Sequence, residues 1–239
     1  MAALPVREHV TGEVAPLLAR LAAEEASGVL ARESGALHLV RGRVVYAESV
    51  SAPGPQALLK THDNLELLVE EGRLPRGAAE LALLGALFDA AYFTLTPADA
   101  PARFRYDDTG HDPEVTVDAA LLERETLRRR ALLHRAWPDA RTDDAPLHRT
   151  GSRPPPPWLP ARRRAVLAEI DGERTATAIA HRLGRRTYPT LLDVRRLTAA
   201  GLVTARQPPG PTALPVKDVP ADDPQLTLLK RLRDALEAL

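Results

Sequence analysis

Val14, Leu17, Leu18 and Leu21 recur at the i, i+3, i+4, i+7 spacing of one helix face, and the period then changes to two. Thr11 is placed to cap this helix, Pro16 falls in its first turn, and Gly28 closes the segment. Three strand-like runs follow over 29–33, 36–42 and 43–49. Ser34-Gly35 and Arg41-Gly42 supply tight turns between them, which predicts a helix followed by an antiparallel meander. The Pro/Gly stretch 51–55 breaks the meander, and the QALLK run from Gln56 begins a short helix. Residues 77–93 are apolar nearly all round and predict a buried helix. The runs 92–97 and 103–108 predict a strand pair around a Pro-containing turn. A long helix is expected over 115–137. Its arginines gather toward the C-terminal end, where they complement the helix dipole.

The stretch between Trp137 and Trp158 has no periodicity and is rich in proline and charge. It reads as an interdomain linker, with Pro154 to Pro157 as a stiff polyproline rod that serves as a spacer rather than a ligand. Beyond it come two short helices split by Asp171-Gly172, the second capped by Thr175 and ended by Gly184. A third helix spans 188–200, with Leu191, Val194 and Leu197 facing inward, Gly201 at its end and a strand over 202–206. Three helices and a strand in this order predict a winged helix-turn-helix. The chain closes with an amphipathic helix whose Leu229, Leu232, Leu236 and Leu239 form an a/d seam. Two heptads are too short to stand alone, so this helix is expected to dock, either on its own chain or on a second copy. The expected organisation is therefore α+β, with a regulatory domain over 1–137, a linker over 138–157, a winged helix over 158–207, a second linker over 208–225 and a docking or dimerisation helix over 226–239.

Composition changes this picture in one respect. The formal net charge is zero, yet residues 1–120 carry a net of −8, residues 121–157 a net of +3, residues 158–207 a net of +6 and residues 208–239 a net of −1. All ten cations of 158–207 are arginines, the side chain suited to bidentate contact with phosphate or guanine. Segregated charge implies separate modules with separate partners. The 239 residues include no cysteine, which excludes disulfides and thiolate metal sites. The N-terminus lacks the apolar core of a signal peptide, and no window is read as the ~20 apolar residues of a membrane span. A cytoplasmic protein with no membrane association is expected.

Two resemblances rest on specific residues. The stretches VAPLLARLAAEEASGVL, LHLVRGRVVYAE and GPQALL, with the later helix LLERETLRRR, resemble the PATAN family of bacterial regulatory domains over roughly residues 10–135. The helical segment 77–91 is longer than that pattern implies. The stretches IDGERTATAIAHRLG and LLDVRRLTAAGLV resemble the winged helix found after some PATAN domains. These resemblances imply a regulatory protein with a partner-binding N-terminal half.

Catalytic patterns do not emerge. No phosphate-binding glycine loop, nucleophile elbow or zinc-protease signature is present, so no enzyme, cofactor or metal is expected. The acidic stretch Tyr106–Glu114 with His111 reads as a turn rather than a metal site. The basic segment carries the functional expectation. In a winged helix the start of the third helix enters the DNA major groove. That assigns Arg185, Arg186, Thr187, Tyr188 and Thr190 to the groove, with Arg195 and Arg196 further along. Arg206 would sit on a wing, and Arg162, Arg163 and Arg164 would clamp the phosphate backbone. Two functions follow. One is a bacterial transcriptional regulator that binds double-stranded DNA, takes input from a protein partner and dimerises through its tail. The other is a signalling adaptor that binds only proteins, such as a small Ras-like GTPase or a response regulator.

Overall fold

A computed structural model describes residues 10–59, 65–96, 101–107, 115–151 and 156–205, the side chains of Val10 and Leu59 excepted. The chain divides into two units, Met1–Arg206 and Gln207–Leu239. The second unit, with its Leu229, Leu232, Leu236 and Leu239, lies outside the described residues, as do Arg206, the proline run through Pro155 and residues 108–114 with His111.

The first half is built on strands β1 (Val10–Gly12), β2 (Gly28–Arg32), β3 (Gly35–Val40), β4 (Arg43–Ser49), β5 (Ala102–Tyr106) and β6 (Val117–Asp118). Their order across one antiparallel sheet is β1-β5-β2-β3-β4-β6. The meander β2–β3–β4 is the expected one. Its second turn places Arg41 at φ 48° and Gly42 at φ 74°, the two positive angles of a type I′ hairpin. A side chain on Gly42 would meet the carbonyl oxygen of Ala22 at 2.5 Å, so the turn and the end of the first helix can touch only through glycine.

Helices α1 (Val14–Ala23), α2 (Pro55–Leu59), α3 (Leu65–Glu70), α4 (Arg76–Thr94) and α5 (Ala119–Ala136) complete this half. Period-two alternation turns Phe104, Leu30, Leu37 and Ala47 to one face of the sheet, in register across four strands. There they meet Leu17, Leu18 and Leu21 of α1, Leu87 and Ala91 of α4 and Leu122 of α5. The helices of this core thus lie on one side of the sheet. Arg32 reaches across to the end of α4, donating from Nη1 to the carbonyls of Thr94 and Thr96 at 2.7 Å.

Several expectations are corrected here. Tyr92 to Thr94 belong to α4 and not to a strand, with Tyr92 and Thr94 buried on its packed faces; only β5 of the expected strand pair exists in the described residues. Thr11 lies in β1, and the residue that flanks α1 is Glu13. Helix α4 also reaches the length and apolarity of a membrane span, with a mean hydropathy of 1.2 over its 18-residue window. Half of that window is buried inside the protein, as expected of a core helix.

The second half holds α6 (Arg141–Asp144), β7 (Leu147–Arg149), α7 (Ala161–Ala168), α8 (Ala176–Leu183), α9 (Thr187–Ala199) and β8 (Val203–Ala205). Strand β7 pairs with β8, and Leu147 also exchanges backbone bonds with Arg174 and Gly172 at 3.0 and 2.9 Å. The stretch read as a linker over 138–157 therefore contributes a helix, a strand and the fully buried Leu147 and Thr142. Three residues of strand and one turn of helix are too short to show a period. Nor is there a boundary at 137: the second core combines Val166, Ile179, Leu191, Val194 and Leu197 with Tyr92 of α4 and Leu133 of α5.

Candidate functional site: helix α9 and the surface that receives it

The first turn of any helix leaves backbone N–H groups without intrahelical partners, and they concentrate the positive end of the helix dipole. In α8 a local side chain meets this need: the Thr175 hydroxyl accepts from the Ala178 N–H at 3.2 Å. In α9 the flanking residue is Arg186, which cannot accept. The acceptor comes from α4. Asp89 Oδ2 takes the Thr187 N–H at 2.7 Å, and Oδ1 takes the Tyr188 N–H at 3.0 Å.

Asp89 is 1% exposed. Burial pushes its carboxyl above the ordinary aspartate range, while the two N–H bonds and the Arg129 guanidinium pull it back. Arg129, on α5, lies 4.0 Å from Oδ1. It donates to the Phe88 carbonyl at 2.8 Å and to Glu125 at 2.9 Å, and its guanidinium stands 4.6 Å over the ring of Tyr188. Tyr188 packs 5.3 Å from Tyr92 and donates its hydroxyl to the Arg129 carbonyl at 3.4 Å. Arg130, the next residue of α5, donates to the Leu95 carbonyl. Further along α9, Arg195 makes a two-pronged pair with Asp143 of α6 at 2.8 and 2.5 Å and also donates to the Trp137 carbonyl at 2.6 Å. Beside this pair Tyr92 is pushed up to about 12, mainly by burial.

These contacts decide where the expected DNA-contacting residues lie. Thr187, Tyr188, Thr190 and Arg195 are buried, so the groove role given to them is corrected: Tyr188 packs on α4 and α5, Arg195 on α6, and the Thr190 hydroxyl donates back to the Arg186 carbonyl at 2.9 Å. Arg162 is half-exposed, but its guanidinium is held by Asp193 at 2.6 Å and by the Pro189 carbonyl at 2.9 Å. Arg163 lies 3.6 Å from the same carboxylate. Arg185 donates to the Arg162 carbonyl at 3.2 Å. Arg164, Arg186 and Arg196 are the exposed remainder of the set among the described residues.

Arg186 lies across α4 at Gly85, where an added Cβ would meet its Nη1 at 2.9 Å. With Arg162 and Arg185 it lines an open groove of about 630 Å³, together with Leu58, Leu81, Ala82 and Pro189.

The residues that sequence reasoning missed are Asp89, Arg129 and Asp143. One signal was available for the first. Asp89 is the sole charge in the apolar run Leu81–Tyr92, and a carboxylate on a buried helix needs a partner. Comparisons of the chain with protein-family models, with curated proteins and with solved structures found no match.

Proposed function

We propose that the protein is a regulatory adaptor whose PATAN-like and winged-helix-like halves act together as one protein-binding body. The observation that carries this reading is the Asp89 cap. A carboxylate occupies the anion position at the start of α9, where a DNA phosphate would sit if this helix met a duplex. Thr187, Tyr188, Thr190 and Arg195, four of the side chains expected at the groove, are buried with it. Five of the ten arginines of 158–207 are engaged in ion pairs of the fold: Arg162 and Arg163 with Asp193, Arg174 and Arg182 with Glu169, and Arg195 with Asp143, which lies outside the segment.

The test is fluorescence anisotropy of the full chain with a labelled mixed-sequence duplex at two salt concentrations. The adaptor reading expects no binding with the steep salt dependence that counterion release gives to phosphate contacts. A second reading is favoured by the exposed Arg164, Arg186 and Arg196: a DNA-binding regulator that reads DNA only after α9 leaves Asp89. Under that reading Asp89→Ala gains salt-dependent affinity that the parent chain lacks. Tight, salt-sensitive binding by the parent chain itself overturns the adaptor reading.

A further inference from the structure

The helices of the first core cover one face of the six-stranded sheet, and the registers fix what stands on the other. One row runs Arg103–Ala31–Ala36–Glu48 across β5, β2, β3 and β4. The neighbouring row runs Arg105–Val29–His38–Tyr46 across the same four strands. Arg103, Arg105, Ala31, Tyr46 and Glu48 are exposed, Val29 and His38 are half-buried and Ala36 is buried between its longer neighbours, while Leu17, Leu87 and Leu122 of the first core pack on the opposite face. The face is thus cationic along β5, apolar along β2, carries Ala36 and His38 along β3, and is anionic and aromatic along β4. Arg103 has no ion-pair partner among the described residues. Glu48 has only a 3.5 Å approach from His38, and Arg105 only a 3.9 Å approach from the exposed Asp107.

Arg103 and Glu48 stand three strand spacings apart, about 14 Å, so they cannot pair within one chain. A two-fold axis parallel to the strands and midway between β2 and β3 exchanges β5 with β4 and β2 with β3. It sets Arg103 opposite Glu48 of a second copy, Ala31 opposite Ala36, Val29 opposite His38, and Arg105 opposite the Tyr46 ring. The alanines at the centre let two sheets approach to the ~10 Å of aligned face-to-face packing, while the long side chains reach across at both flanks. We propose that this sheet face is a self-complementary docking surface for a second copy of the same chain.

Four strands by about five residues give a contact of a few hundred Å² per copy. That places the dimer among weak, reversible associations, with dissociation on the order of 10 µM to 1 mM.

The experiment is sedimentation velocity on the full chain across that concentration range, with Glu48→Arg, Arg103→Glu and their equimolar mixture. The parent chain should show a concentration-dependent dimer. Each single variant places like charges opposite one another and should raise the dissociation constant by about tenfold or more. In the mixture, a heterodimer sets the intact Arg103 of one variant opposite the intact Glu48 of the other. Its two substituted positions also face each other with opposite charge, so association should return to the parental level. A misfolded variant cannot produce that rescue, and circular dichroism of each variant checks its fold. If a variant fails to fold, Glu48→Gln and Arg103→Gln take its place and should each weaken the dimer without rescue on mixing. A parent chain that stays monomeric throughout overturns the proposal. So does a dimer whose mass ignores both substitutions, as an interface made by the tail 226–239 would.

Discussion

Helices α8 and α9 are neighbours in the chain and in the fold, yet their N-termini are satisfied in opposite ways. Helix α8 is closed at both ends by its own sequence: the Thr175 hydroxyl caps the start, and Gly184 at φ 61° ends it in a left-handed turn. Helix α9 borrows its cap from Asp89, 98 residues earlier. A locally capped helix can form wherever its half of the chain folds. A remotely capped one is complete only when both halves are together, so the helix that a winged helix would offer to DNA is here a structural joint between α4, α5 and α6.

Removing each cap is the sharpest way to test this contrast. Asp89→Ala strands two buried N–H groups, each worth about 1–3 kcal/mol, and should lower the free energy of urea unfolding by roughly 2–5 kcal/mol. Asp89→Asn keeps one acceptor and should lose less. Because burial raises the Asp89 pKa, the ionised form is disfavoured in the fold relative to the unfolded chain. The stability advantage of the neutral acid is therefore present below the ordinary aspartate value of 3.8 and is lost as pH rises through the raised one. The neutral Asn variant should accordingly compare best with the parent near pH 7.

Next in size is Arg195→Ala. It leaves the Asp143 carboxylate largely buried without its partner and should cost about 3 kcal/mol, read by the same unfolding curve. A loss under about 1 kcal/mol would show that α6 does not hold α9. Thr175→Ala removes only a local cap and should cost about 1 kcal/mol while leaving the contacts of α9 intact.

A further test concerns pH. Hydrogen bonds from Arg128, and then from Arg129, hold Glu125 down to about 2. Its contribution is full above its ordinary 4.5 and is lost as pH falls toward 2. Unfolding curves at pH 7, 4.5 and 3 should therefore show a decline that Glu125→Gln flattens.

What could be read from the sequence followed the range of each interaction. The leucine spacing of α1, the meander, the Thr175 cap and the inward stripe of α9 are encoded within a few residues, and the structure has them. The role of 138–157 is illegible in the sequence because Leu147 acquires its meaning only beside Ala205 and Arg174, more than 25 residues away. The net positive charge of 158–207 does not say where the charge lies: Arg195 is buried, while Arg164, Arg186 and Arg196 are exposed. A count cannot show that Asp193 takes two arginines and that Asp143, outside the segment, takes a third. Tyr188 and Thr187 stand where a groove-facing residue would, and only the position of α4 turns them inward.

Amide hydrogen exchange at Thr187 and Tyr188 reports whether α9 begins inside the protein. First-turn amides of an exposed recognition helix exchange quickly, because nothing but water accepts from them. With Asp89 in place, both should exchange as slowly as the interior amides of α9, and Asp89→Ala should release those two positions before the rest of the helix. Fast exchange at both amides in the parent chain, alongside slow exchange at Leu191 and Val194, would contradict the buried cap and return the start of α9 to the surface.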